Sequence, residues 1–234
     1  VEQSPLYDSI DFSENMSNDC SSGMMISDSH KNARAAATPI ESFLCPSAGA
    51  PADNSFVMGT ANPAGDSYAA NAGWPSNATG HDGERPNPGP YNGIISLKHP
   101  GKFIPWHHQG NVSIQQITDG TSHTAAVTER LFQTATDLNA VRSGPETLKS
   151  YHVTASSGRT LSRMRDRCDS SSTHADPVAA AFIGRAWISG WTPTAPTYMH
   201  LNTPNTHHCH FKSLSDDGDF AVTPSSNHPG GVNI

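Results

Sequence analysis

The first marked pattern of apolar and polar positions is Leu6-Tyr7-Asp8-Ser9-Ile10-Asp11-Phe12, whose alternation predicts a short strand or an extended docking segment. Residues 30–37 carry the clearest helical signal. Alanines at 33, 35, 36 and 37 favour the helix, and Ser27 or Asp28 stands where a cap belongs. Thr38-Pro39 redirects the chain into residues 40–46, which read as a strand-like entry. From 47 to 90 nearly every position favours a turn, with Tyr68 and Trp74 as aromatic anchors to a core. Residues 91–97 and 112–117 read as strands. Asp119-Gly120 reads as a turn, the carboxylate accepting backbone N–H groups, and Thr124-Ala125-Ala126-Val127-Thr128 as a buried strand running into Glu129. Residues 179–191 are aromatic, Gly-punctuated and strand-like, with Trp187 and Trp191 sharing a face at strand period. The pattern predicts an α+β chain, mostly β, with an antiparallel sheet and long ordered loops. It fits a single domain over 1–234, with a possible division near 135–150.

Composition sharpens this picture. Only 35% of the 234 residues are hydrophobic and 15% are charged, while Gly (19) and Pro (18) are both abundant. Low charge argues against charge-driven disorder, and the turn formers argue for ordered loops. The net charge of −7, with no run of Lys or Arg, provides no footing for a phosphate backbone, so nucleic acid is excluded as a partner. No apolar run approaches the ~18–20 residues of a membrane-spanning helix. No repeat of fixed period is visible, which removes solenoids and propellers.

Thirteen histidines invite a search for chemistry. In Thr206-His207-His208-Cys209-His210, an extended strand places His208 and His210 on one face, a pair suited to a soft divalent metal. His107-His108 is a weaker example, and no H-E-x-x-H occurs. Asp216, Asp217 and Asp219 surround Gly218 with hard oxygen ligands of the kind calcium takes, although the spacing is not that of an EF-hand; the alternative is a solvated turn. No nucleophile stands in a strand–nucleophile–helix context, so no catalytic residue is assigned and no enzymatic activity is expected. His228-Pro229-Gly230-Gly231 reads as a tight turn, with the imidazole hydrogen-bonding to hold it beside a final strand. Three N-x-[S/T] sequons begin at Asn15, Asn77 and Asn111.

Four blocks carry a family resemblance: Phe43-Leu44-Cys45-Pro46-Ser47, Tyr68-Ala69-Ala70-Asn71-Ala72-Gly73-Trp74, Ile117-Thr118-Asp119-Gly120-Thr121-Ser122-His123-Thr124, and Ser225-Ser226-Asn227-His228-Pro229-Gly230-Gly231-Val232-Asn233. In this order they resemble the DUF1559 group of prepilin-like exported bacterial proteins, whose C-terminal signature is a His, nine residues and Asp-Gly. The resemblance implies a charged leader and apolar helix before Val1 and an Asp-Gly after Ile234. The sequence therefore reads as the pseudopilin-like head of a longer precursor, placed outside the cell or on its surface. It implies a structural subunit of a pilus-like filament or surface fibre that assembles with copies of itself. With the helix removed, the extended segment 2–12, with Leu6, Tyr7, Ile10 and Phe12, is expected to pair with a neighbour's sheet edge. The alternative is a minor surface binding module for a glycan or a metal ion. In an exported protein the even cysteine count favours two disulfides, and pairing within each half of the chain gives Cys20–Cys45 and Cys168–Cys209. Four buried thiols are the alternative. The calcium sites of some major pseudopilins favour calcium as the bound ion.

Overall fold

The computed structural model describes residues 3–14, 26–49, 60–73, 93–95, 112–117, 120–153, 160–170, 175–190, 193–210 and 220–234. Cys20, Trp74, His107, His108, Asp119, Trp191, Asp216, Asp217, Asp219 and the three sequon asparagines lie outside them.

The first element is a helix, where alternation predicted an extended segment. Ser4–Asp8 forms α1 with Pro5 in its first turn, where a missing backbone N–H is tolerated. Leu6 and Ile10, four residues apart, are half-buried, while Tyr7 and Phe12 stay exposed. The segment is tied down by Asn32, whose side-chain amide accepts from the Asp11 N–H (2.8 Å) and donates to the Asp11 carbonyl (3.0 Å). Asn32 also precedes α2, Ala33–Ala36, a shorter helix than 30–37, with three alanines buried.

Two small mixed sheets follow. In the first, β1 (Tyr68–Asn71) lies between β2 (Val127–Glu129), antiparallel, and β4 (Thr197–Tyr198), parallel. In the second, β5 (His208–His210) lies between β3 (Ser150–His152), parallel, and β6 (Phe220–Ala221), antiparallel. The chain is α+β, but its sheets are mixed, and no described strand exceeds four residues. The predominance of β expected from the pattern is not seen in the described residues.

Local chemistry explains where strand readings gave way. Residues 40–46 contain a 3₁₀ turn at Glu41–Phe43. Residues 112–117 contain another at Ile114–Gln116, with the Gln116 side chain accepting from the Ser113 N–H at 2.7 Å. The run from 179 begins inside a helix, Pro177–Ala181. The Asp176 carboxylate caps it by accepting from Val178 (3.0 Å) and Ala179 (3.1 Å), and Pro177 fits its first turn. Two further helices, Leu138–Ser143 (α3) and Leu161–Ser170 (α4), precede this one, which becomes α5. Asp137 caps α3 in the same manner. Residues 93–95 form a bend.

The core consists of several small clusters. One joins Tyr151, Val153, Met164, Cys168, Cys209 and Ala221, another Ala179, Phe182, Ala186, Phe220 and Val222. With few large apolar side chains, buried polar contacts carry the connections between clusters. Arg130 does so most completely: it donates to the carbonyls of Ala195 (2.6 Å) and Thr197 (3.1 Å) and pairs with Asp66. One guanidinium thereby links the segments around β1, β2 and β4. Among the described residues, no helix is long and apolar enough to cross a membrane.

Candidate functional site

The second sheet holds the expected disulfide. Cys168, on α4, is bonded to Cys209 at the centre of β5, with a Cα–Cα distance of 5.8 Å. His208 and His210 lie on the other side of that strand, as period two requires, but their rings have separate partners. His208 Nδ1 accepts from the Thr223 N–H at 2.9 Å. His210 sits edge-on to His152 and Phe220, with Nε2 3.4 Å from Asp176. His207 converges with the two cysteine sulfurs, which are already bonded to one another. Both rings of that face are buried, and His152 Nδ1 lies 3.3 Å from the His210 nitrogens.

The expected Cys20–Cys45 bond requires correction: Cys45 is a buried free thiol. Its sulfur instead faces a polar cluster drawn from three distant parts of the chain, around 45–47, 129 and 228. Cys45 Sγ is 3.0 Å from Ser47 Oγ and 3.7 Å from His228 Nε2. The same nitrogen is 3.1 Å from Glu129 Oε1 and 3.3 Å from Ser47 Oγ.

Each side chain is placed by its own element. Cys45 follows the 3₁₀ turn at Glu41–Phe43. Glu129 ends β2 and faces Tyr68 in register across the sheet. His228 is followed by Gly230 (φ +100°) and Gly231 (φ +133°), a left-handed path that a side chain would strain. The returning chain then places Asn233 beside Glu129. Its side-chain amide donates to Oε1 (2.7 Å), its N–H donates to Oε2 (3.3 Å), and its carbonyl accepts from the Glu129 N–H (3.2 Å). The Asn227 amide, donating to the Ser47 carbonyl at 3.0 Å, fixes the first loop to the last.

The electrostatics favour charge on all three central groups. Burial pushes the Cys45 thiol up, but hydrogen bonds from the Ser47 side chain and backbone and from His228 outweigh it and the Glu129 charge, so the thiol lies below its usual value. Burial likewise acts against the Glu129 carboxylate, and Ser226, Asn233 and His228 bring it below the ordinary range. His228 is raised by its hydrogen bond to Cys45 and by the Glu129 charge. The Tyr68 phenol, bonded to Cys45, is raised by burial first and then by both anions.

A family model described as "Protein of unknown function (DUF1559)", SBP_bac_10, matches residues 1–234. The chain belongs to the DUF1559 family. Neither the curated proteins nor the solved structures yield a match to it. Within this DUF1559 chain, segments from three of the blocks that carried the resemblance meet at Cys45, and Glu129 lies five residues after the remaining block. Sequence reading had Cys45 as a disulfide half and His228 as a turn lock, and it did not single out Glu129 or Ser47. The signal available was the co-occurrence of Cys-Pro-Ser and His-Pro-Gly-Gly, each a reactive side chain set in a tight turn.

Proposed function

We propose that this DUF1559 chain is an exported, non-catalytic structural subunit that associates with copies of itself into a pilus-like filament or cell-surface fibre. The observation that carries the reading is the Tyr7–Phe12 pair. The two rings lie 5.0 Å apart, 64% and 63% exposed, on a segment whose helix has no fully buried residue. A five-residue helix has no independent stability in water, so the cost of holding two aromatic rings in solvent is offset most simply by a neighbouring subunit. Charged groups flank the pair: Lys31 meets Asp11 and Glu14. They suit a contact with an apolar centre and a polar rim.

Two further features support the reading. A buried disulfide is at home in an oxidising, extracytoplasmic setting. The Cys45–His228 contact does not resemble a nucleophile and its base, since Glu129 and Cys45 approach the same imidazole nitrogen, whereas an oriented base uses one nitrogen for each role. Because α1 is helical, docking would bring a helix face to the neighbour; added strand pairing does not suit it.

The test is a Tyr7→Ser/Phe12→Ser double variant, viewed by negative-stain electron microscopy and analytical ultracentrifugation. The unsubstituted chain is expected to associate with rising concentration, and the variant to remain monomeric with an unchanged melting temperature. Equal assembly by both proteins would refute the role of this pair, and a chain that never associates would move the reading to a surface binding module.

A further inference from the structure

We propose that Cys45, Glu129 and His228 form a binding site for a borderline-soft divalent cation of the zinc type, with Sγ, Oε1 and Nε2 as ligands. The three ligand atoms lie within 4.8 Å of one another. In a tetrahedral site with zinc–ligand bonds of about 2.0–2.3 Å, sulfur and nitrogen ligands stand about 3.6 Å apart and nitrogen and oxygen ligands about 3.4 Å. The distances here are 3.7 Å for Sγ to Nε2 and 3.1 Å for Nε2 to Oε1. Small side-chain rotations are enough to bring the three atoms onto one face of a tetrahedron.

The donor set is also chemically apt. One thiolate, one imidazole and one carboxylate match the affinities of zinc and discriminate against calcium and magnesium, which prefer oxygen alone. Binding releases to solvent the protons carried by the Cys45 thiol and the His228 imidazole and leaves a thiolate and a neutral imidazole as ligands, so no redox partner is required. Ser47 Oγ, beside both Sγ and Nε2, is placed to take the fourth position or to hold a water there. Surrounding groups hold the ligands in place: Asn233 donates to both Glu129 oxygens, and the Tyr68 phenol bonds to the Cys45 sulfur. With His228 40% exposed and Glu129 only 5% exposed at its side chain, an ion has a path in from one side. The proposal does not depend on the assembly role of α1.

The full chain, freed of metal by chelator and dialysed, is titrated with zinc chloride by calorimetry and with cobalt(II) chloride by absorption spectroscopy. One tight equivalent is expected, with release of protons to the buffer and a thiolate-to-cobalt charge-transfer band. Cys45→Ser should remove that band. Losing a ligand costs at least what losing an outer partner does, so His228→Ala should weaken binding by about 10–100-fold or more. His123→Ala, on an exposed turn elsewhere, should change neither. Melting curves of each apo-protein show whether it folds, and half-exposed His228 keeps the test valid if Cys45→Ser does not. Absence of a tight equivalent, unchanged affinity in His228→Ala, or a Cys20–Cys45 disulfide in the peptide map of the metal-competent protein would each overturn the proposal.

Discussion

Asp66 and Arg130 meet at 2.5 Å with neither side chain exposed, at the end of the first sheet where β1 begins and β2 stops. Burial pushes the Asp66 carboxyl up to about 7, with Arg130 acting in the opposite direction. The carboxyl therefore tolerates a neutral replacement better than the guanidinium does, because Arg130 also holds the Ala195 and Thr197 carbonyls. Arg130→Met is expected to cost about 3–5 kcal/mol, as breaking a buried pair does. Asp66→Asn should cost clearly less. Urea denaturation of both variants decides this, and equal losses would contradict the ranking.

Stability should fall in mild acid. Burial, reinforced by the Arg130 and His207 charges, holds the His208 imidazole down to about 3, against a backbone hydrogen bond at Thr147. Burial brings His210 to about 4, Asp176 opposing and His152 adding. In the unfolded chain both take up protons near 6.5, so between pH 6.5 and 4 the unfolded state binds more protons. The stabilisation is complete above that window and declines through it, by up to about 1.4 kcal/mol per pH unit for each imidazole. His210→Gln should flatten the decline by about one imidazole's share. Unfolding free energies measured across the window provide the check, and an unchanged slope would contradict the assignment.

Reduction should be costly as well. The Cys168–Cys209 bond closes a separation of 41 residues, for which the chain-entropy relation gives about 4 kcal/mol. A Cys168→Ser/Cys209→Ser variant is expected to melt markedly lower, with α4 losing its hold on β5 first. Hydrogen exchange resolved to 161–170 and 208–210 would show whether that helix opens ahead of the rest.

Gly184 is constrained by its surroundings. Its φ is +65°, and an added Cβ would lie 2.6 Å from Phe132 Cβ and 3.0 Å from the Arg130 guanidinium. Gly184→Ala therefore combines backbone strain with a clash against a buried ion pair, and a loss of about 2–4 kcal/mol is expected. Gly190→Ala, with open space around the new methyl, is the matched control in the same thermal-melt series.

These relationships were unevenly legible in the sequence. Of the run 124–128, read as a buried strand, only Val127 and Thr128 fall in β2, and Val127 is exposed; burial begins at Thr128. The Cys168–Cys209 bond followed from counting cysteines and dividing the chain. The helix at Pro177–Ala181 was misread because alanine and Gly-punctuated aromatic residues suggested a strand, although Asp176-Pro177 is a strong start signal. Residues 6–12 alternate, yet α1 forms over Ser4–Asp8 with Pro5 in its first turn, and the half-buried residues are Leu6 and Ile10, four apart. The Cys45 site was hidden for a different reason. Its members come from positions 45, 47, 129 and 228, and no local period links them. Only the path of the chain brings them together.

That path also sets the order of events as the protein acquires its shape. His228 reaches back 183 residues to Cys45, Asn233 reaches back 104 to Glu129, and Ser225 donates its backbone N–H to the Glu129 carbonyl. The first sheet therefore waits for the last ten residues before its outer strand is covered. Contacts this distant along the chain make for slow folding. A chain that lacks them has an open strand edge and an unpartnered thiol, and it commits to its native form only once residues 225–233 are in place.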